Sequence, residues 1–310
     1  MSGPVAAEDA RPDEAACGEP HEPEVEVSPS REASVGGVAV RRALPRRERR
    51  TVGAWCFADH FGPVAATDAA AHAGSMEIGP HPHTSLHTVT WLLEGSLLHR
   101  DSLGSEQLIR PGQLNLMTAG HGVAHAEETP EGDLHRAQHG IQLWVAQPER
   151  TRHGPPAFEH HAELPEAAIG AARVTVLIGE VAGAASPARA DTPLVGADLA
   201  SDGGRFTVPL DPAFEHALVV LTGSLAVGDT QVVPGYLAYL GQGRELLDLA
   251  AEGETRALLL GGEPLGEQIV MSWNFVGRSR DEVAQAAADW NAGAERFGTV
   301  DSALARIPAP

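Results

Sequence analysis

Hydrophobic and polar positions along most of this chain alternate in short runs that Gly and Pro residues interrupt. Between residues 76 and 150 the apolar runs lie at 88–93, 96–99, 107–109, 114–117 and 140–145. Short β-branched and apolar runs broken by turn residues are typical of antiparallel sandwiches and barrels. Because no helical pattern joins these runs, a parallel sheet with crossover helices is disfavoured, and we expect an antiparallel β-barrel.

A second set of short strands follows the Pro155-Pro156 pair, where we expect a connection between two domains. These runs lie at 174–178, 206–209, 216–221, 224–227, 231–233, 237–240, 246–249 and 256–260. Gly95-Ser96-Leu97 and Pro111-Gly112-Gln113-Leu114 recur, in the same order, as Gly223-Ser224-Leu225 and Pro234-Gly235-Tyr236-Leu237. Repetition of ordered motifs indicates a duplicated unit, here a second β-barrel.

The two ends of the chain differ from this pattern. Residues 1–34 are rich in Glu, Pro and Ala without apolar periodicity, which predicts a disordered acidic tail. Near the other end, Ser279 and Glu282 form a capping box, and the helix that it begins is expected to end near Phe297-Gly298. The predicted fold is all-β, with tandem antiparallel barrels of jelly-roll type, a short C-terminal helix and a disordered N-terminal tail. The predicted divisions are a tail at 1–34, a first, metal-binding barrel at 35–150, a connection at 151–170, a second, metal-free barrel with the helix at 171–300, and a tail at 301–310.

Composition narrows the classes of function. The chain has 22 basic and 42 acidic residues and a net charge of −20, which argues against nucleic acid or an anionic membrane as a partner. All the basic residues are Arg, so chemistry that requires Lys, such as a Schiff base or a Walker A loop, is excluded. The one basic cluster, at 41–50, is expected to be an exposed turn with local salt bridges. Neither a signal pattern nor a membrane-length apolar run is visible, so we expect a cytoplasmic protein.

Two pairs of candidate metal ligands stand at a spacing of two residues. His81 and His83 form one pair, and His125 and Glu127 form the other. Residues i and i+2 of a β-strand point to the same face, so the four side chains can converge if both segments are strands of one barrel. Three imidazole nitrogens and one carboxylate oxygen suit a divalent transition metal, with iron, nickel, manganese, zinc and copper all open. The second repeat lacks both pairs, so we expect its barrel to be metal-free.

Together these motifs resemble the cupin pattern, and the longer match is to the pirin family, whose members contain two cupins. The residues that carry the match are Arg46-Arg47-Glu48-Arg49-Arg50-Thr51-Val52-Gly53, Pro80-His81-Pro82-His83, Leu92-Leu93-Glu94-Gly95, His99-Arg100-Asp101-Ser102-Leu103-Gly104, Ile109-Arg110-Pro111-Gly112, Met117-Thr118-Ala119-Gly120, His125-Ala126-Glu127, His139-Gly140-Ile141-Gln142-Leu143-Trp144 and Gly261-Gly262-Glu263-Pro264-Leu265-Gly266-Glu267. The match runs from about residue 35 to 300.

The resemblance implies one divalent metal per chain, bound in the first barrel by His81, His83, His125 and Glu127. In pirins this metal is usually iron, so Fe(II) is expected here. The resemblance also implies two activities. One is quercetin 2,3-dioxygenase activity on a flavonol-like aromatic substrate. For this activity our hypothesis is that Glu127 is both a ligand and the base that takes up the proton of the substrate hydroxyl. The other is metal- and redox-dependent regulation of a protein partner, such as a metabolic enzyme or transcription factor. A closed zinc site with a structural role is a third alternative.

The sequence departs from the family pattern at two places near the expected site. Thr84-Ser85-Leu86-His87 replaces the common Arg-Gly-Phe-Glu, so His87 stands where many single cupins have a metal-binding Glu. We expect His87 either to orient a ligand or to compete for the metal. His121 replaces the Arg of the common Ala-Gly-Arg-Gly. The substrate preference of the family is therefore not carried over to this chain.

Overall fold

The computed structural model of the chain describes residues 24–63, 76–133 and 137–310. Strands dominate these residues. The strands of the first half are β1 (Glu26–Pro29), β2 (Arg31–Val35), β3 (Val38–Leu44), β4 (Trp55–Phe61), β5 (Glu77–His83), β6 (Leu86–Glu94), β7 (Leu97–Asp101), β8 (Glu106–Ile109), β9 (Leu114–Thr118), β10 (Val123–Glu128), β11 (His139–Ala146) and β12 (Ala157–His161).

The second half continues in the same style and ends with a helix. Its strands are β13 (Glu166–Ile169), β14 (Ala172–Ile178), β15 (Glu180–Val181), β16 (Ala184–Ala185), β17 (Leu194–Ser201), β18 (Gly204–Pro209), β19 (Glu215–Thr222), β20 (Leu225–Val227), β21 (Thr230–Val232), β22 (Tyr236–Gly241), β23 (Leu246–Ala251), β24 (Thr255–Gly262), β25 (Val270–Ser272) and β26 (Phe275–Gly277). The α-helix α1 spans Arg280–Asn291, and short 3-10 helices span Glu131–Asp133 and Glu295–Phe297. No helix in the described ranges is long and apolar enough to cross a bilayer.

The two halves share one sheet topology. In the first half, a seven-stranded sheet of order β12-β9-β6-β11-β4-β3-β2 accompanies a four-stranded sheet of order β5-β10-β7-β8. In the second half, the orders are β1-β22-β19-β24-β17-β14-β13 and β18-β23-β20-β21. The strands pair antiparallel within these four sheets. This arrangement confirms the predicted all-β tandem fold of jelly-roll type, although each half is built from two separate sheets and is not one closed barrel; each two-sheet unit is called a barrel below. The shared order is what the repeated motifs predict.

The interiors of the two barrels differ in chemistry. In the second barrel, aliphatic side chains from both sheets fill the interior, among them Leu199, Leu218, Val220, Leu249 and Leu259. The first barrel instead encloses a cavity whose wall includes charged, amide and imidazole side chains. Buried polar groups are costly unless they are paired or bind a ligand, so the interior of the first barrel is the candidate functional site.

Alternate residues of the two seven-stranded sheets form one hydrophobic core between the barrels. At its centre the indole Nε1 of Trp55 donates hydrogen bonds to the carbonyls of Val195 (3.0 Å) and Gly261 (3.2 Å). A Cβ at position 196 would lie 2.7 Å from the Trp55 ring, so Gly196 allows this ring to lie directly on β17. The two barrels are therefore joined by a continuous, tightly packed hydrophobic interface.

The N-terminal boundary of structure lies earlier than expected. The predicted disordered tail falls outside the described residues up to residue 23, but β1 and β2 lie within its predicted span, so the boundary at 34 is corrected to before Glu26. Strand β1 pairs with β22 of the second barrel, whereas β2 pairs with β3 of the first. Edge pairing uses backbone N–H and C=O groups, which leave no hydrophobic pattern in the sequence. The connection at 151–170 likewise contains β12 and β13, which extend the two large sheets.

The C-terminal segment also packs differently from the prediction. Glu282 N donates to Ser279 Oγ at 3.1 Å, as the capping box predicts, but α1 ends at Asn291 rather than near residue 297. The helix side chains Val283, Ala286 and Trp290 pack with Ala124 and Ala126 of β10, so the helix lies on the first barrel and not on the second.

Residues 301–310 are not a free tail either. The Ile307 amide donates to the Pro80 carbonyl at 2.9 Å, and the Trp290 indole donates to the Ile307 carbonyl at 2.8 Å. The sequence gives no signal for this contact because it joins residues that are far apart in the chain. Within the described residues, the N-terminal strand β1 thus extends the second barrel and the C-terminal segment covers the first.

Candidate metal centre

Three of the four predicted ligands converge inside the first barrel. His81 and His83 point from β5 and His125 from β10, and the antiparallel pairing sets His125 directly opposite His81. One ring nitrogen of each lies within 4.8 Å of those of the other two, and all three side chains are buried. The spacing of two residues between His81 and His83 thus places both rings on one face of β5, where they meet the ring of His125.

The hydrogen bonds of the rings determine which nitrogens face each other. His81 Nδ1 lies 2.9 Å from the Gly79 carbonyl, and His83 Nδ1 lies 3.0 Å from the Asn274 carbonyl. A carbonyl only accepts, so each Nδ1 carries the proton and each Nε2 of the neutral ring carries a lone pair. Burial lowers the pKa of His81 to about 4 and the pKa values of His83 and His125 well below their ordinary range. All three rings are therefore neutral at pH 7, which is the form that binds metals.

The close approach of His83 Nε2 to His125 Nε2, at 3.0 Å, tests whether a metal fits. Since His83 Nε2 carries a lone pair, this contact is favourable only with a proton or a metal cation between the two nitrogens. Neutral imidazoles suit iron, nickel, copper and zinc, whereas calcium and magnesium prefer oxygen ligands. The donor set thus fits a divalent transition metal.

Glu127 lies beside this cluster but is not one of its three members. It follows His125 by two residues on β10 and lines the same cavity, and a register shift occurs between the two residues where β10 pairs with β5. Its carboxyl group is buried, and this burial raises its pKa to about 7. A carboxyl group with such a pKa exchanges its proton near neutral pH, as a general base requires.

The imidazoles open into a cavity of about 460 Å³, a size typical of small-molecule sites. The Phe57 and Trp144 rings form one wall, stacked with centroids 4.0 Å apart, and Trp144 meets the His83 ring edge-on at 5.1 Å. Beside them Arg42 and Asp59 form a two-pronged ion pair, at 2.7 Å for Nε to Oδ1 and 2.6 Å for Nη2 to Oδ2. The cavity therefore combines a flat aromatic surface with a fixed polar group.

The sequence interpretation missed this wall. Arg42 belongs to the basic cluster expected to form an exposed turn, but it lies in β3 and faces the cavity. Trp144 reads as a core aromatic and is indeed buried, yet it also lines the cavity. The available signal was the spacing of two residues between Phe57 and Asp59 on β4, which places a carboxylate and a ring on one face of the strand.

The two departures from the family pattern lie away from the cavity wall. His87 lies on the opposite face of β6, where its Nδ1 is 2.9 Å from Thr118 Oγ1 and its Nε2 is 3.2 Å from Asp191 Oδ2. His121 is exposed, and its Nδ1 is 3.0 Å from the Gly154 carbonyl. Neither side chain belongs to the three-histidine cluster. The position of His87 therefore does not support the expected role beside the metal.

Comparison with known proteins agrees with this architecture. Residues 37–145 match the family model described as Pirin, and residues 197–298 match the one described as the Pirin C-terminal cupin domain. A bacterial pirin from Escherichia coli, solved in complex with nickel(II), shares the fold with a TM-score of 0.61 at 16% identity, covering 78% of this chain and 100% of that one.

Two relatives are much more similar in sequence. A Pseudomonas aeruginosa protein provisionally named a quercetin 2,3-dioxygenase is 46% identical over 297 residues, or 95% of this chain and 92% of that protein. The crystal structure of quercetin 2,3-dioxygenase from Acinetobacter baumannii has a TM-score of 0.86 and 40% identity, and the match covers 92% of this chain and 95% of that one. These matches extend over both barrels and the site between the sheets of the first. The chain therefore belongs to the pirin family.

Proposed function

We propose that this protein is a metal-dependent dioxygenase that cleaves a planar, flavonol-like aromatic substrate in the first barrel. The observation that carries the proposal is the convergence of three neutral imidazoles on a cavity of about 460 Å³ with a stacked aromatic wall. The names of the Pseudomonas and Acinetobacter relatives support the choice of substrate class. A closed zinc site with a structural role is disfavoured, because structural sites leave no cavity at the metal.

His81, His83 and His125 would hold the metal, and Glu127 is the proposed fourth ligand. Iron(II) is the proposed metal, with nickel, manganese, zinc and copper as the alternatives. When bound, such a metal supplies Lewis acidity and, as iron(II), redox chemistry with dioxygen. Four protein ligands leave positions for substrate or dioxygen on a five- or six-coordinate ion.

Glu127 is also the proposed general base. Burial raises the pKa of Glu127 to about 7 in the metal-free protein, so a Glu127 carboxylate released from the metal would be basic enough to accept the proton of a substrate hydroxyl. The carboxyl group is buried and lines the same cavity as the imidazoles, so the proton would be transferred beside the proposed metal ligands. The deprotonated substrate oxygen is the group that the imidazole-bound cation would attract.

The rest of the wall suits a flat molecule that carries oxygen substituents. The stacked Phe57 and Trp144 rings offer an aromatic surface at the edge of the His83 ring. Arg42 uses Nε and Nη2 for Asp59, which leaves Nη1 for a substrate oxygen. Gln142 Oε1 accepts from Thr90 Oγ1 at 2.9 Å, so its amide nitrogen is the end that remains for a ligand.

The test is oxygen uptake by iron(II)-reconstituted protein with quercetin, together with the loss of flavonol absorbance. We expect His83→Ala to abolish both uptake and iron binding, because it removes one of the three converging nitrogens. His121→Ala is the matched control, since it removes an exposed imidazole away from the cavity and should leave uptake unchanged. If wild-type protein with measured bound iron takes up no oxygen with quercetin, the proposed flavonol dioxygenase activity is refuted.

The alternative function is that of a metal- and redox-dependent regulator, which would act through a protein partner. Within the part of the chain that the structure describes, no feature favours this role over turnover, and the enclosed cavity beside the imidazoles favours a small molecule. We therefore keep the enzyme as the proposed function.

A further inference from the structure

We infer that Asp101 and His99 are positioning residues that fix the ring of His125 in the tautomer that binds the metal. We call the three residues Asp101, His99 and His125 the relay. The inference rests on the proposed metal site and adds to it two residues of the neighbouring strand β7. Neither His99 nor Asp101 belongs to the cavity wall, so their role is exerted through His125 rather than on the substrate.

The relay is a continuous line of polar atoms behind the metal site. His125 Nδ1 lies 3.4 Å from His99 Nδ1, and His99 Nε2 lies 3.1 Å from Asp101 Oδ2. In the β7–β10 pairing, Asp101 stands opposite His125, and His99 stands opposite Glu127. Both relay residues of β7 are buried, at 4% and 3% exposure, so water does not replace these contacts.

The direction of the hydrogen bonds follows from the Asp101 carboxylate. Its Oδ1 accepts from the backbone amides of Leu103 and Ser105, both at 2.9 Å, and its Oδ2 faces His99. A carboxylate that accepts at both oxygens requires His99 to donate from Nε2. A neutral His99 then carries its lone pair on Nδ1, which accepts from His125 Nδ1. The remaining nitrogen of His125, Nε2, is thereby left with its lone pair.

This tautomer completes the metal site. His81 and His83 already carry lone pairs on Nε2 because their Nδ1 atoms donate to carbonyls. With His125 set in the same way, the 3.0 Å contact between His83 Nε2 and His125 Nε2 brings two lone pairs together, and a shared cation resolves it. The negative charge of Asp101, transmitted through His99, also makes His125 Nε2 a stronger electron-pair donor to a metal.

The orientation of His99 is itself fixed by packing. The Phe158 ring of β12 stacks on the His99 ring with centroids 4.4 Å apart and planes 14° apart. Strand β12 lies in the connection between the barrels and joins the first barrel through β9. The His99 ring is therefore held between a carboxylate, an aromatic face and the ligand that it orients.

Two substitutions test the relay in different ways. Asp101→Asn keeps the shape and the oxygen that accepts from Leu103 and Ser105, but it presents an N–H donor to His99 Nε2. This reverses both hydrogen bonds and moves a proton onto His125 Nε2. His99→Phe keeps the stack on Phe158 but removes the acceptor for His125. We expect each variant to weaken binding of Ni(II) by about 10- to 100-fold, the range found for groups that orient metal ligands.

The double variant separates a relay from a structural role. If Asp101 acts through His99, Asp101→Asn should have no further effect on Ni(II) affinity once His99→Phe is present. If Asp101 only holds the turn at residues 101–105, its effect should persist in that background. The matched control is the His161–Glu159 pair of β12, with the same 3.1 Å separation but outside the cavity, for which Glu159→Gln should leave affinity unchanged.

The measurements are Ni(II) affinity at pH 7.5, by competition with a coloured chelator, and the visible absorption of Co(II)-loaded protein. A changed Co(II) spectrum in Asp101→Asn, with an unchanged circular dichroism spectrum, would show an altered ligand field in a folded protein. Affinity within twofold of wild type in Asp101→Asn, or an undiminished effect in the double variant, would overturn the relay. Failure of wild-type protein to bind Ni(II) would instead overturn the metal site and the relay together.

Discussion

Metal affinity between pH 5 and pH 7.5 provides a direct measurement of whether Glu127 is a fourth ligand. In the metal-free protein, burial raises the pKa of Glu127 to about 7 and lowers that of His81 to about 4. The titratable and charged groups that line the cavity with Glu127 or stand opposite it are the three imidazoles, which stay neutral in this range, the Arg42–Asp59 ion pair, and His99 on β7. The carboxyl group of Glu127 is therefore the site group that takes up a proton as the pH falls below 7.

The size of the effect follows from this pKa. A carboxylate ligand must be ionised, so bound metal and a bound proton exclude each other, and the apparent affinity falls as pH falls through 7. With a pKa of about 7, the proton weakens binding by about 1.3-fold at pH 7.5 and about 100-fold at pH 5. The expected loss between the two is about 80-fold, or about 2.6 kcal/mol. With its pKa of about 4, His81 contributes only about 10% to the loss at pH 5.

The assay is Ni(II) competition at half-unit intervals of pH, with wild-type protein, Glu127→Gln and Glu128→Gln. The amide of Glu127→Gln does not titrate, so its affinity should be lower at pH 7.5, nearly flat with pH, and close to wild type at pH 5. Glu128 lies next to Glu127 on β10 but hydrogen-bonds to Ser302, so Glu128→Gln should keep the wild-type slope. A flat wild-type profile, or the same slope in Glu127→Gln, would refute Glu127 as a ligand.

Three further predictions concern stability. Trp55→Phe should lower the free energy of unfolding by about 2–4 kcal/mol in guanidinium melts, because the carbonyls of Val195 and Gly261 lose their donor and a gap opens between the barrels; an unchanged midpoint would contradict this. Burial lowers the pKa of His216 to about 4, so the unfolded chain binds a proton near pH 6.5 that the folded chain does not, and stability is lost as pH falls below 6.5. Between pH 7 and pH 4, the free energy of unfolding measured in urea melts should therefore fall by up to about 3 kcal/mol less in His216→Leu than in the wild type. Equal decreases in the two proteins would contradict this prediction. Addition of Ni(II) at about 100 times its Kd should stabilise the wild type by about 2.7 kcal/mol, seen as a higher Tm that a chelator reverses and that His83→Ala lacks; a Tm insensitive to Ni(II) in both proteins would be inconsistent with the site.

Local signals in the sequence were sufficient for the fold and for the convergence of three of the four candidate ligands. Gly and Pro between short apolar runs predict antiparallel strands, and the spacing of two residues between His81 and His83 predicts a shared face. The family position of His87 does not bring it to the metal site, because Ser85 takes a positive φ of 59° between β5 and β6 and the alternation of faces restarts after it. A continuous strand would have placed His87 on the face of His83.

Contacts between distant parts of the chain could not be predicted in this way. Asp59 pairs with Arg42 across two strands, and His99 reaches His125 from another strand, so neither partner is visible in the spacing of one segment. Strand β1 joins the second barrel through backbone hydrogen bonds, which any residue type can form. The residues that surround the ligands are therefore known only once the sheets are assembled.

Late parts of the chain contact the candidate metal site in the first barrel, and this affects the order in which the site is completed during synthesis. The carbonyl that orients His83 belongs to Asn274, which follows it by 191 residues. At ribosomal rates of about 5–20 residues per second, this partner emerges roughly 10–40 s after the histidine. Trp273 and Ile307, which also line the cavity, emerge at the same stage or later. A nascent or truncated chain thus carries the histidines without the groups that set their geometry, so metal binding at the proposed site is expected only after the segment up to Ile307 has been made and has docked.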